Sequence, residues 1–80
     1  MKKEIKIALN EEASRLVFLL SVLFDYLNPP EEPIVSEDEK ELTFLVVKEI
    51  DDVLIRNAIT QSIGAFVKSV SIAEKEATKE

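Results

Sequence analysis

The stretch Arg15-Leu16-Val17-Phe18-Leu19-Leu20-Ser21-Val22-Leu23-Phe24-Asp25-Tyr26-Leu27 constrains this chain more than any other. Read as a helix, it is apolar over far more than the single stripe that one core contact needs. Ala13, Leu16, Val17, Leu20, Leu23, Phe24 and Leu27 recur at i, i+3, i+4, i+7 and form the expected inner face. Leu19, Val22 and Tyr26 lie on its flanks, and Phe18 falls on the side otherwise marked by Ser14, Ser21 and Asp25. A chain of 80 residues has little body with which to cover that much apolar surface. A partner chain is the expected cover.

Composition narrows the class. Eighty residues predict a single domain spanning 1–80, and 46% hydrophobic with 32% charged residues suits a small globular fold. No cysteine is present, so disulfides cannot staple so small a core, and oligomerisation is the usual alternative. The lack of cysteine and of a signal-peptide pattern after Met1-Lys2-Lys3 predicts a cytoplasmic protein. The apolar run is about a dozen residues against the roughly 20 a membrane span needs, so no membrane association is expected. A net charge of −6 with dispersed Lys and Arg argues against autonomous nucleic-acid binding, which depends on neutralising phosphates.

The remaining elements read from local pattern. Glu4–Leu9 alternates as a half-buried strand; Asn10 is the expected N-cap of the first helix, with Glu11 and Glu12 in its first turn. Asn28-Pro29-Pro30 ends that helix. Ile34-Val35-Ser36 predicts a short strand, Glu37–Lys40 a hairpin loop longer than two residues, and Glu41–Lys48 a central strand apolar on both faces. Asp51 or Asp52 caps a second helix, with Ile50 as a hydrophobic staple. That helix is expected to continue to about Ala73, burying Ile55, Ile59, Ser62, Phe66, Val70 and Ala73, before a charged tail, Glu74–Glu80, that frays. The expected fold is α+β: β-α-β-β-α, a three-stranded antiparallel sheet in the order 1-3-2 with both helices on one face. Thr43, Leu45, Val47 and Ala8 then lie on a sheet face with no helix over it, a second argument for an oligomer.

The chemistry of an enzyme is thin. Neither His nor Cys occurs, removing the commonest general base, the thiol nucleophile and the usual zinc ligands. Gly64 is the sole glycine, so no glycine-rich phosphate loop is possible. The acidic runs Glu31-Glu32, Glu37-Asp38-Glu39 and Asp51-Asp52 fit solvated turns and a helix cap better than a cleft. No catalytic, cofactor-binding or metal-ligating residue is assigned, and no cofactor is expected. The candidate residues are instead partner-binding: Phe18, Val22 and Tyr26 on the first helix, with Thr60, Gly64 and Lys68 on the polar stripe of the second. Glycine inside a helix costs about 1 kcal/mol relative to alanine, so Gly64 on that stripe is either a place where another helix approaches closely or a neutral surface position.

The order of elements and the stretch Glu49-Ile50-Asp51-Asp52-Val53-Leu54-Ile55-Arg56-Asn57-Ala58-Ile59 resemble the small Pcc-type (LAGE-like) subunits of the KEOPS complex. In that family the last helix opens with an acidic cap and a Leu-Arg-Ala-Ala-like run, which Ile55-Arg56-Asn57-Ala58 resembles. The resemblance implies a non-catalytic accessory subunit that dimerises, as a homodimer or with a Pcc-like paralogue. It further implies docking, through the helices, of the threonylcarbamoyl-transferase subunit of a complex that modifies tRNA adenosine. Thr60 in place of an asparagine, Gly64-Ala65 in place of basic or aromatic residues, and the acidic hairpin depart from the family pattern. They suit a divergent second paralogue. The alternative is a small helix-docking interaction module with no RNA connection.

Overall fold

Alternating apolar residues lay the first strand, and everything else is built against it. The computed structural model describes residues 2–47 and 49–75. Strand β1, Lys2–Leu9, is followed by a 3-10 turn, Ala13–Leu16, running into helix α1, Val17–Leu27. Strand β2, Ile34–Val35, and strand β3, Glu41–Val46, form a hairpin; helix α2, Asp52–Ile63, a 3-10 turn, Gly64–Phe66, and strand β4, Val67–Lys75, complete the chain. The sheet is four-stranded in the order β2-β3-β1-β4, with every neighbouring pair antiparallel. This is the split βαββαβ arrangement.

The expected α+β fold, with β3 between β1 and β2, is what the chain adopts, with one strand more. The second helix does not reach Ala73. It ends at Ile63, and the residues beyond it form β4 along the free edge of β1. The reason the pattern misleads is a β-bulge. Ile7 faces Val70 and Ala8 faces Ser69, yet Leu9 faces Val67, so Lys68 is an extra residue in the ladder. The bulge shifts the phase of alternation, leaving Val67 and Val70 three apart with both turned toward the core. That spacing imitates a helix. Of the predicted tail, Glu74 and Lys75 belong to β4, while 76–80, like Lys48 at the predicted end of β3, lie outside the described residues.

One buried cluster joins the layers: Ile5, Ile7 and Leu9 from β1; Leu42, Phe44 and Val46 from β3; Leu20, Leu23 and Leu27 from α1; and Ile55, Ile59 and Ile63 from α2. Val67, Val70 and Ile72 of β4 and Phe24 pack around it. Phe24 meets Phe44 edge-on, ring centroids 5.1 Å apart, fixing α1 to the middle of the sheet. No described residue of polar or charged type is buried. The opposite sheet face has no helix over it. With β4 in place it carries Lys6, Ser69 and Ser71 beside Thr43 and Leu45, a more polar surface than a three-stranded sheet presents.

Helix α1 does not begin at its expected cap, and α2 begins at Asp51 as expected but without a side-chain bond. Asn10 lies in a bend, its N–H donating to the Phe66 carbonyl at 2.7 Å, and Glu12 precedes the 3-10 turn without a side-chain cap. The cap comes instead from the hairpin. The Ala13 N–H donates to the Glu39 carbonyl at 2.8 Å and the Ser14 N–H to the Glu39 carboxylate at 3.1 Å. Glu39 adopts φ 62°, a left-handed conformation rare for a side chain of this kind. The turn holding it is tied by Asp38, whose carboxylate accepts from the Ser36 hydroxyl at 2.7 Å and the Lys40 N–H at 3.0 Å. Helix α1 ends where Asn28, also left-handed, returns its N–H to the Phe24 carbonyl before the two prolines. At the start of α2, Asp51 is the N-cap residue but makes no side-chain cap. The Lys3 ammonium bridges the Ile50 carbonyl at 2.7 Å and the Asp52 carboxylate at 2.8 Å; the bond to Asp52 holds its pKa above the ordinary lysine value.

The hairpin cap gives a pH signature. The Ser36 hydroxyl first, then the Lys40 N–H, hold the Asp38 carboxyl below its ordinary value, and the bonds to Ser14 do the same for Glu39. A depressed folded-state pKa means stabilisation that is full above the ordinary carboxylate range and lost as pH falls through the lower folded value. The thermal midpoint is therefore expected to be level from neutral pH down to the ordinary carboxylate range and to drop below it. Glu39→Gln should lower the plateau and flatten that acid limb. An acid limb identical in the parent and the variant would remove Glu39 from this account.

Candidate functional site

The surface of α1 is decided by the 3-10 turn before it. At three residues per turn Ala13 and Leu16 eclipse, so the inner stripe continues as Leu20, Leu23 and Leu27. Val17, expected inside, is 58% exposed, and Phe24 is only half-buried. The opposite side presents Phe18, Val22 and Tyr26 at i, i+4, i+8, with Phe18 88% exposed.

Beside this row runs a groove of about 520 Å³ between the helices. Leu19, Val22 and Tyr26 line it from α1; Leu54, Asn57, Ala58, Gln61 and Ser62 line it from α2. None of these side chains is charged. Leu54 is 48% exposed, and the Ser62 hydroxyl is turned back to the Ala58 carbonyl at 2.8 Å, so the floor is apolar and small. A concave, uncharged, largely apolar strip flanked by an exposed phenylalanine suits a partner's hydrophobic helix or ridge.

The structure brings together half of the sequence-derived set. Phe18, Val22 and Tyr26 share one face of α1. Thr60 is exposed on α2 but points about 125° away from the middle of the groove-lining residues by the helical period. Gly64 follows the last residue of α2 in ordinary helical geometry, φ −52°, and Lys68 is the bulge residue of β4. The stripe Thr60-Gly64-Lys68 therefore does not exist as one helix face, because the helix stops at Ile63. Lys68 instead borders a shallow depression with Ala8, Glu41 and the hairpin residues Glu37 and Asp38. Sequence reasoning misses Leu54, Asn57 and Gln61 of the groove. Leu54, Asn57, Ala58 and Gln61 at i, i+3, i+4, i+7 carry the available signal, and the expectation of a helix twice as long masks it.

Gly64 has a simple local test. A Cβ there meets only the Thr60 side chain, Cγ2 at 3.2 Å, and the backbone does not require glycine. Gly64→Ala should change stability by no more than about 1 kcal/mol, and partner affinity not at all. Calorimetric unfolding and a titration with the partner check both; a lost affinity would restore the glycine to the interface.

A second cleft, about 690 Å³, opens between α1 and the hairpin, lined by Val17, Leu20, Phe24, Pro33 and Val35 among others. It arises because β2 is two residues long and leaves this side of α1 uncovered. Among the described residues no group of three His, Cys, Asp or Glu could hold a metal ion. No described helix is long and apolar enough to cross a membrane.

No protein-family profile matches the chain, and no curated protein matches it. Among solved structures it is similar to the structured domain of Drosophila melanogaster Boca, at 17% identity, covering 95% of this chain and 100% of that one with a TM-score of 0.57. At that identity the likeness is one of fold.

Proposed function

We propose that this chain is a non-catalytic docking subunit that binds a partner protein across the α1–α2 groove and pairs with another small chain of its own kind. The observation that carries the reading is the uncharged groove with Phe18, Val22 and Tyr26 exposed beside it on α1. Side chains of that size left in water on so small a domain are costly unless a partner covers them. The resemblance of Glu49–Ile59 to Pcc-type subunits supplies the assembly: an accessory subunit of KEOPS, cytoplasmic, with a Pcc-like chain and the threonylcarbamoyl-transferase subunit as partners. With a net charge of −6, contact with tRNA belongs to the other members of such an assembly.

Affinity purification from the native organism, with identification of the co-eluting chains, tests the assembly. The transferase subunit and a Pcc-like chain are expected; their absence from an otherwise specific eluate would refute it. The strand β4, which the resemblance did not imply, favours the second reading, a helix-docking module unrelated to RNA. Under it the eluate contains a specific partner with no role in tRNA modification, whose binding is still lost on altering the groove.

A further inference from the structure

The two edges of the sheet are unlike. β2 is two residues long, and a short edge strand resists pairing with another chain. β4 is nine residues long and contains neither proline nor glycine. The register decides which of its backbone groups face outward. The Leu9 N–H donates to Lys40, so odd residues of β1 bond toward β3 and even ones toward β4. The even residues of β1 oppose Ser69, Ser71 and Ala73, and these turn their N–H and C=O inward. Val70, Ile72 and Glu74 therefore direct theirs out of the sheet. Among the described residues the one group reaching this edge is Arg56, whose Nη1 lies 3.4 Å from the Val70 carbonyl.

The sequence along this edge is palindromic in character about Ser71: Ser69, Val70, Ser71, Ile72, Ala73. Val70 and Ile72 are half-buried against the core, and Ser69, Ser71 and Ala73 are small and exposed on the open face. Beyond the palindrome stand Lys68 at one end and Glu74 at the other.

We propose that two copies of this chain pair through β4, antiparallel about a two-fold axis at Ser71, so that one sheet runs through both. The proposal deepens the pairing half of the reading above and rests on it, and it is independent of the groove. In this register Val70 opposes Ile72 of the second copy, both with outward backbone groups. Their side chains extend the apolar layer beneath the helices. Ser71 opposes itself, Ser69 opposes Ala73, and the Lys68 end of each strand lies beside the Glu74 end of the other, opposite in sign. Moving the axis to Ile72 opposes Val70 to Glu74, and moving it to Val70 opposes Ile72 to Lys68. Only the Ser71 register gives both Val70 and Ile72 an apolar partner. The Val70 carbonyl has two lone pairs, so it accepts the incoming N–H while keeping Arg56.

The chain has no cysteine, which makes cross-linking decisive. Self-opposed residues at a non-hydrogen-bonded antiparallel position have Cα atoms about 4.5 Å apart, within disulfide reach. Ser71→Cys should oxidise to a covalent dimer at micromolar concentration. Ser69→Cys should not, because its two copies lie about 13 Å apart along the ladder. Ser71→Asp, which places like charges face to face, should weaken the dimer about five-fold in sedimentation equilibrium while leaving the unfolding of the isolated chain unchanged. A parent chain that sediments as a monomer at about 100 μM, a concentration at which even a weak pair is populated, overturns the proposal. So does a dimer in which Ser71→Cys fails to cross-link, or in which Ser69→Cys links equally well. None of these results touches the groove: partner binding that survives them while remaining sensitive to Phe18 leaves the docking function standing.

Discussion

Replacing Leu23 by alanine lowers the free energy of unfolding by about 2–5 kcal/mol, the cost of lost burial plus the cavity left behind. Leu23 is fully buried in the cluster that joins α1 to the other elements. A chain of this length has roughly 4–12 kcal/mol in total at typical values per residue, so the variant sits near the edge of folding. Its thermal midpoint should fall by about 10–30 °C. Val17→Ala, on a residue that helical periodicity also places inside, should change stability by no more than about 0.5 kcal/mol, because Val17 faces water. The pair is measured by thermal and denaturant unfolding at one fixed protein concentration, since self-association raises the midpoint. Equal losses in the two variants would mean that α1 is rotated relative to this description.

Phe18→Ser should have the opposite profile. The ring is almost wholly exposed, so removing it costs the isolated domain little. In a complex, an exposed aromatic beside the groove that the partner covers completely is worth about 2 kcal/mol, which is a loss of affinity of roughly thirty-fold. Val22→Ser, one turn along, should add to that loss. Thr60→Lys serves as the control: it alters α2 on the side turned from the groove and should leave affinity unchanged. Isothermal titration of the co-purified partner against the three variants reads these effects. A weakened Thr60→Lys with an unaffected Phe18→Ser would move the docking surface to the other side of α2.

Local alternation and chain breakers were legible in the sequence. The strand at Glu4–Leu9, the stop at Asn28-Pro29-Pro30 and the two-faced central strand all read correctly, because each signal lies within a window of about eight residues. The central position of β3 follows from a right-handed crossover between β1 and β2, which leaves a gap that the hairpin-linked strand fills, and its apolar residues on both sides agree with that place. β4 was illegible for a physical reason: the bulge at Lys68 breaks the two-residue period where it would have been recognised. Val17 was misplaced because nothing in Ala13–Leu16 announces a 3-10 turn, and one tight turn rephases everything after it. Of the candidate set, Phe18, Val22 and Tyr26 stay together on one exposed face of α1, because that face does not depend on the second helix. Thr60, Gly64 and Lys68 depended on a helix continuing past Ile63, and they separated when it did not.

The hairpin tip normally counts as the expendable part of a small domain, the place where a tag, an epitope or new chain ends are introduced without consequence. Here that freedom is withdrawn at Glu39, because its carbonyl and carboxylate anchor the opening turn of a segment far earlier in the chain, at Ala13 and Ser14. Lengthening the loop by even one residue moves those acceptors off the Ala13 and Ser14 N–H groups, and the first turn of the α1 segment is left facing water. Circular permutation or epitope insertion is better directed to the linker at 30–32, whose residues are exposed and make no hydrogen bond to either helix among the described residues.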